Sequence, residues 1–272
     1  MRKTAGESSI DGTHYRRAGS GTPVVLIHGV GADLEMWQPV AERLAPFHDV
    51  LRYDMLGHGA SAKPPGPYRL DDFVDQLRRL VDGLGFERAV LAGFSMGGLV
   101  AQGFALAAPA RVERLVLLNT VFDRSAQERA AVEARARKVL NGGHEASIAA
   151  ALERWFTPAF RAVRPEMVAG IRRRMETNDL QAYAAAYALF AEADRDLAAR
   201  IGDIETPAMV VTGAEDRHST AAMARTMAER LPRGRCHIIA GQRHMTPLEV
   251  PDLVAALIAG RPLAADSIVA AQ

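Results

Sequence analysis

The stretch from Glu87 to Gln102, ERAVLAGFSMGGLVAQ, restricts what this chain can fold into more than any other part of it. Ala89-Val90-Leu91-Ala92 is short, continuously apolar and preceded by charge, the pattern of a strand buried on both faces of a parallel sheet. After Ser95, Leu99, Gly103 and Leu106 recur at helical spacing until Pro109 stops them. A serine at so sharp a strand-to-helix turn takes up strained backbone, with its hydroxyl pushed clear of the sheet. Gly93 and Gly97 stand two residues to either side, where a Cβ would crowd the turn. The bland alternative is a glycine-rich turn whose serine only caps the helix.

The rest of the chain repeats the same rhythm. Ser9 to Ala18 contains Asp11-Gly12, a hairpin signal, and is expected to form two short antiparallel edge strands. Pro23 to His28 and Asp49 to Asp54 read as further strands, separated by a helix that Asp33 caps and that carries Leu34, Trp37, Val40 and Leu44 on one face. A helix over Asp71 to Leu84 leads into the strand before Ser95, and Val112 to Leu118 reads as another strand. Strand and helix in alternation imply a mostly parallel central sheet with helices on both faces. From 121 to 200 the chain turns almost wholly helix-forming, so a helical cap is expected after the sixth strand. The rhythm returns with strand Ala208 to Thr212, helix Thr220 to Arg230, strand Arg235 to Ala240 and a last helix from Leu248 to Ile258. Residues 1–120 and 201–260 would then form the core and 121–200 the cap, with 261–272 a disordered tail.

Charge and cysteine content narrow the function classes. Lys and Arg total 33 against 32 for Asp and Glu, which leaves no net field to draw nucleic acid or an anionic membrane. No stretch approaches membrane-spanning length, and MRKTAGESSI has no apolar run after its basic residues, so a cytoplasmic location is expected. The single cysteine, Cys236, excludes an internal disulfide framework and is expected to be a small core hydrophobe beside Ile238 and Ile239. No spacing of His, Cys or carboxylates points to a metal, and no phosphate loop or dinucleotide fingerprint is present, so no cofactor is expected. Homo-oligomer formation is left open.

A serine hydroxyl is a poor nucleophile near neutral pH and needs a base within hydrogen-bond reach, oriented by a third group. Of the eight histidines, His244 is the best placed, in a loop between the last strand and the last helix, with His218 its rival. In an open parallel sheet such C-terminal strand ends lie together. Asp216 follows the strand Ala208 to Thr212 and is the expected acid, with Glu215 and Asp123 behind it. An oxyanion needs donors fixed before reaction; the backbone N–H of Met96, at a helix N-terminus, and that of Val30, in His28-Gly29-Val30-Gly31, are the candidates.

Gly93-Phe94-Ser95-Met96-Gly97 resembles the G-x-S-x-G nucleophile elbow, and the order Ser95, Asp216, His244 matches that of α/β-hydrolases. Asp54 to Ser61 resembles the D-x-x-G-x-G-x-S segment of the same superfamily, read as shaping a strand exit. Within it the chain is most similar to 3-oxoadipate enol-lactone hydrolases, on Leu51-Arg52-Tyr53-Asp54, the elbow, and Arg154-Trp155-Phe156-Thr157. The resemblance implies an α/β-hydrolase fold and an acyl-enzyme mechanism on a small carboxylated ester or lactone. Arg154 and Trp155 are then candidate substrate contacts, against the reading of an ordinary helix surface or core pair. Carbon–carbon hydrolysis of a ring-cleavage product, and a ligand-binding receptor with a slow residual triad, are the alternatives.

Overall fold

The computed structural model describes residues 8–138 and 143–261, residues 8 and 138 by their backbone alone. The expected tail at 262–272 lies outside the described residues. Eight strands form one sheet in the order β1-β2-β4-β3-β5-β6-β7-β8. They are β1 (Ser8–Ile10), β2 (Thr13–Gly19), β3 (Thr22–Ile27), β4 (His48–Tyr53), β5 (Ala89–Phe94), β6 (Val112–Leu118), β7 (Ala208–Gly213) and β8 (Gly234–Ile239). β2 runs antiparallel to both β1 and β4, and every other pairing is parallel. Asp11 and Gly12 take positive φ in the hairpin, at 47° and 74°. Of the two hairpin strands only β1 lies at a sheet edge: β2 pairs with β4 along Tyr15 to Gly19, which corrects the expectation of two edge strands there.

Val24 to Ile27 and all of β5 are buried, as strands covered on both faces must be. Helices α2 (Leu70–Gly83), α3 (Met96–Ala107) and α9 (Ala221–Arg230) cover one face, while α1 (Gln38–Leu44) and α11 (Pro251–Ala259) cover the other. On α2, Phe73, Leu77, Leu80 and Val81 form the buried stripe, and each contributes about 1.5–3 kcal/mol by leaving water. Truncating Leu77, which is fully buried, would cost about 2–5 kcal/mol.

The helix expected after Asp33 divides into a 3₁₀ turn, Leu34–Trp37, and α1. Pro39 explains this, since it has no N–H to donate back to Glu35. The last helix divides similarly into α10 (Thr246–Glu249) and α11, with Pro251 opening the second piece. Cys236 is exposed, contrary to expectation. β8 pairs only with β7 and is the outer strand of the sheet, so its middle residues face outward.

Between β6 and β7 the chain forms α4 (Ala126–Lys138), α5 (His144–Trp155), α6 (Pro158–Val163), α7 (Pro165–Glu176) and α8 (Leu180–Arg200). The sheet changes direction beside β3: the chain goes from β3 out to β4, then back across to β5 on the other side. The loops leaving β3 and β5 therefore diverge to opposite faces and open a crevice at their C-terminal ends, where open α/β sheets bind ligands. The helical insertion lies over that crevice.

Candidate active site

Ser95 directly follows β5 with φ 52° and ψ −116°, a conformation that non-glycine residues rarely adopt. Its backbone N–H is held by the Leu118 carbonyl at 2.8 Å. Its hydroxyl makes no capping bond to α3, so the bland reading of this serine as a helix cap is not what the structure shows. The flanking glycines are sterically required. A Cβ on Gly93 would lie 2.3 Å from the Gly97 carbonyl oxygen, and one on Gly97 would lie 2.3 Å from that of Ile27.

Asp216 and His244 come from the loops after β7 and β8, and Nδ1 of His244 lies 2.7 Å from Oδ2 of Asp216. The other carboxylate oxygen, Oδ1, accepts the backbone N–H groups of His218 at 2.9 Å and Ser219 at 3.1 Å. Burial alone would raise this carboxyl, but the His244 charge and the hydrogen bonds from His244, Asn119 and His218 outweigh it and hold Asp216 below its ordinary range. An ionised acceptor fixes the proton of neutral His244 on Nδ1 and leaves Nε2 free to accept one.

The loop after β3 closes the other wall. A Cβ on Gly29 would sit 3.2 Å from that of Ser95, so only glycine lets the loop come this close. Among the described residues, the N–H groups of Val30 and Met96 have no protein acceptor. His28, fully buried, donates Nδ1–H to the Gly29 carbonyl at 2.8 Å and accepts the Met55 N–H on Nε2 at 2.9 Å. Both ring nitrogens are occupied and burial lowers its pKa, so it shapes the loop and cannot exchange protons with a ligand. The insertion is fastened to this loop by Asn178 Nδ2 on the Gly31 carbonyl at 3.0 Å and by Arg174 on Asp33 at 2.9 Å.

These walls enclose a cavity of about 200 Å³, onto which Ser95, His244, Val30 and Gly29 open from the core, with Arg154 and Trp155 from the insertion. No hydrogen bond joins Ser95 to His244 in this state; such bonds commonly tighten only with substrate in place. Residues 22–251 match the family described as alpha/beta hydrolase fold. The chain belongs to that family.

Two relatives from Acinetobacter baylyi carry the likeness through most of its length. An (E)-2-((N-methylformamido)methylene)succinate hydrolase is 37% identical over 89% of this chain and 90% of its own. A 3-oxoadipate enol-lactonase is 32% identical over 84% of each chain. The enol-lactonase structure from Burkholderia xenovorans LB400 superposes with a TM-score of 0.84 at 30% identity, covering 94% of this chain and 98% of that one. The protein is thus a hydrolase of the α/β type with an enol-lactonase-like fold and sequence.

In this α/β-hydrolase the last turn of α5 meets the His244 loop directly. The Trp155 ring lies 5.8 Å from the His244 ring, and Nε of Arg154 donates to Nε2 of His218 at 3.1 Å. Burial, the His244 charge and then Arg135 push His218 down to about 4, so it stays neutral with its proton on Nδ1. Its ring nitrogen is committed to Arg154 and not to an acid, which separates it from His244. The reserve acids stand apart: Asp123 is half exposed on Arg230 at 3.3 Å, and Glu215 is 3.7 Å from Arg243.

Residues at the start of the insertion, and Asn119 beside the acid, carry no local signal in the sequence. Arg124 lies just before α4, and Glu128, Val132 and Arg135 recur at helical spacing along the cavity side of that helix. Arg124 is buried on Asp194 at 2.8 Å and over the Phe190 ring, whereas Arg135 has no carboxylate partner among the described residues. Asn119, at the end of β6, bonds Asp216 at 2.9 Å. Among the described residues no cluster of His, Cys, Asp and Glu is arranged to hold a metal ion, and no helix is long and apolar enough to cross a membrane.

Proposed function

We propose that this protein is a serine hydrolase that cleaves a small carboxylic ester or lactone through an acyl-enzyme. The observation that carries the reading is the meeting, on one cavity, of a strained serine and a histidine whose far nitrogen is held by a buried carboxylate. Ser95 Oγ attacks the carbonyl carbon while His244 Nε2 takes its proton. The carbonyl oxygen, now negative, accepts from the N–H groups of Val30 and Met96, both fixed beforehand by the loop and by the start of α3. Collapse breaks the bond to the leaving oxygen, which receives the proton from His244. Water then attacks the acyl carbon with the same imidazole as base, and the bond to Ser95 Oγ breaks as that oxygen takes back the proton from His244. Asp216 keeps the imidazole in the working tautomer and balances its charge.

The substrate side is read from the insertion. Arg135 and Arg154 are close enough for the charge of Arg135, after burial, to lower the Arg154 pKa, and neither has a carboxylate bridge among the described residues. An anionic group of a substrate would relieve that repulsion, and guanidinium pairs with carboxylate bidentately. The names of the two Acinetobacter relatives, a substituted succinate and an oxoadipate lactone, support a carboxylated substrate. Trp155 supplies an apolar wall against His244.

The test is labelling with a fluorophosphonate and mapping of the modified peptide, together with turnover of a panel of lactones, p-nitrophenyl esters and a chromophoric dienoate. Modification of Ser95 with turnover of esters or lactones is expected. Failure of Ser95 to label would overturn the serine mechanism, and bleaching of the dienoate alone would transfer the reading to carbon–carbon hydrolysis.

A further inference from the structure

Asn119 has two properties that a residue merely leaving a strand does not need. It is fully buried, and its backbone has φ 49°, in the left-handed region where asparagine is better tolerated than most side chains. Strain of this kind persists only where the surroundings impose it. Here the surroundings are the loops that carry the acid and the base.

Its backbone is fixed at both ends: the N–H donates to the Val211 carbonyl at 2.7 Å, and the carbonyl accepts the Ser219 hydroxyl at 2.6 Å. The side chain spans three segments. Oδ1 accepts the Thr246 hydroxyl at 2.6 Å, two residues after His244. Nδ2 faces Asp216 Oδ2 at 2.9 Å, Thr212 Oγ1 at 3.2 Å and the Arg243 carbonyl at 3.3 Å. The Thr212 hydroxyl gives its own proton to the Ser219 carbonyl at 2.6 Å, so it accepts from Asn119. Thr246, as donor to Oδ1, fixes which end of the amide is which and turns its N–H groups toward the acid. Oδ2 of Asp216 thus receives two donors, one from Asn119 and one from His244.

We propose that Asn119 is a positioning residue for the Asp216–His244 pair: its amide, oriented by Thr246, clamps the oxygen that holds the imidazole and moderates how strongly that carboxylate favours imidazolium. This rests on the reading of Asp216 and His244 as acid and base. A donor to a carboxylate drains negative charge from the oxygen that the imidazolium faces, so removing or inverting it makes His244 more basic. The other charged or titratable groups around the pair are Glu215, Arg217 and His218 on the acid's own loop, Arg243 beside His244, and Arg135 and Arg154 from the insertion. All of them are unchanged in the variants below, so a shift reports on Asn119.

The experiment measures the rate of fluorophosphonate labelling at Ser95 against pH for the full-length wild type, Asn119→Asp and Thr246→Val, with the melting temperature of each. Asn119→Asp preserves shape but sets a second carboxyl against Asp216, and the acid limb of its profile should move up by about one pH unit. Thr246→Val leaves Asn119 and Asp216 in place but frees the amide. Its limb should move the same way by less, with kcat for a p-nitrophenyl ester down about ten-fold and KM within about two-fold. A purely structural role would lower the melting temperature and leave the limb of the folded protein unmoved; that result overturns the proposal, from Thr246→Val alone if Asn119→Asp does not fold. Absence of wild-type labelling at Ser95 would instead overturn the serine-hydrolase reading, and this proposal with it.

Discussion

The carbonyl oxygen of Trp155 accepts the backbone N–H of His244 at 3.0 Å, so the last residue of α5 fastens the insertion to the loop that carries the imidazole. Arg243 reinforces the junction from the other side, with Nη1 on the Glu153 carbonyl at 2.9 Å and the Phe156 carbonyl at 3.1 Å. The insertion is therefore part of the framework that sets the base, as well as a cover for the cavity. Substitutions at this junction act on turnover through the His244 loop.

Ser95→Gly separates stability from chemistry. Glycine adopts positive φ without the steric penalty that serine meets at 52°, and the Ser95 hydroxyl makes no helix-capping bond that the change would remove. The variant is expected to be more stable by about 1 kcal/mol, the lower end of what such strained residues cost. Its turnover of p-nitrophenyl esters should fall by about 10⁴–10⁶-fold, and that of Ser95→Ala likewise. Denaturant titration and ester kinetics on the same preparation check both halves, and retained turnover would remove Ser95 from the mechanism.

Asp216→Asn and Asp123→Asn should differ sharply. The first replaces the oxygen that accepts Nδ1–H of His244 and disturbs the working tautomer; about a 10⁴-fold loss of kcat is expected. Asp123 is paired with Arg230 on a half-exposed surface and does not reach the imidazole, so its variant should keep kcat within about two-fold. The larger loss at Asp123 would identify the wrong carboxylate here.

The reach of the sequence differs between these residues for a physical reason. Ser95, Asp216 and His244 each end a strand or lie in the loop just past one, where turn residues and the return of apolar runs fix position locally. Asn119 follows a strand too, but its side-chain partners lie 93 to 127 residues further along the chain, and nothing local marks them. Arg135 is similar, since α4 is too polar to show in sequence which side turns inward. Cys236 differs from its expectation because the same short run fits an inner or an outer strand, and only the pairing order puts β8 outermost.

Acid should weaken the fold through its buried histidines. Burial, then the neighbouring His28, hold His58 at about 3 against an ordinary 6.5, and its Nδ1–H is committed to the Leu56 carbonyl at 2.9 Å. Between these two values the unfolded chain binds a proton that the folded one refuses, so stability falls as pH drops from about 6.5 toward about 3. One such group contributes a slope of about 1.4 kcal/mol per pH unit in that window. Urea unfolding at pH 7 and 5 should show it in the wild type, and His58→Gln, which lacks the group, should have the shallower dependence. Equal slopes would mean that His58 titrates normally in the folded protein.

Charge selection is the prediction that bears most directly on the substrate. Mono-p-nitrophenyl succinate and p-nitrophenyl butyrate present acyl chains of similar length to Ser95, but only the first has a carboxylate for Arg135 and Arg154. A charge-assisted hydrogen bond is worth about 1.5–3 kcal/mol, which converts to about 10–100-fold in kcat/KM. The wild type should prefer the charged ester by that margin. Arg135→Met retains length and packing while deleting the charge, so it should lose most of the preference through KM and leave the neutral ester within about two-fold. Arg154→Met should also lose it, with some cost in kcat, because Arg154 holds His218 beside the acid loop. If both variants keep the wild-type ratio, the two arginines do not meet the acyl group. A carboxylate on the leaving-group side would then be the next arrangement to measure, with the charge moved from the acyl chain to the alcohol.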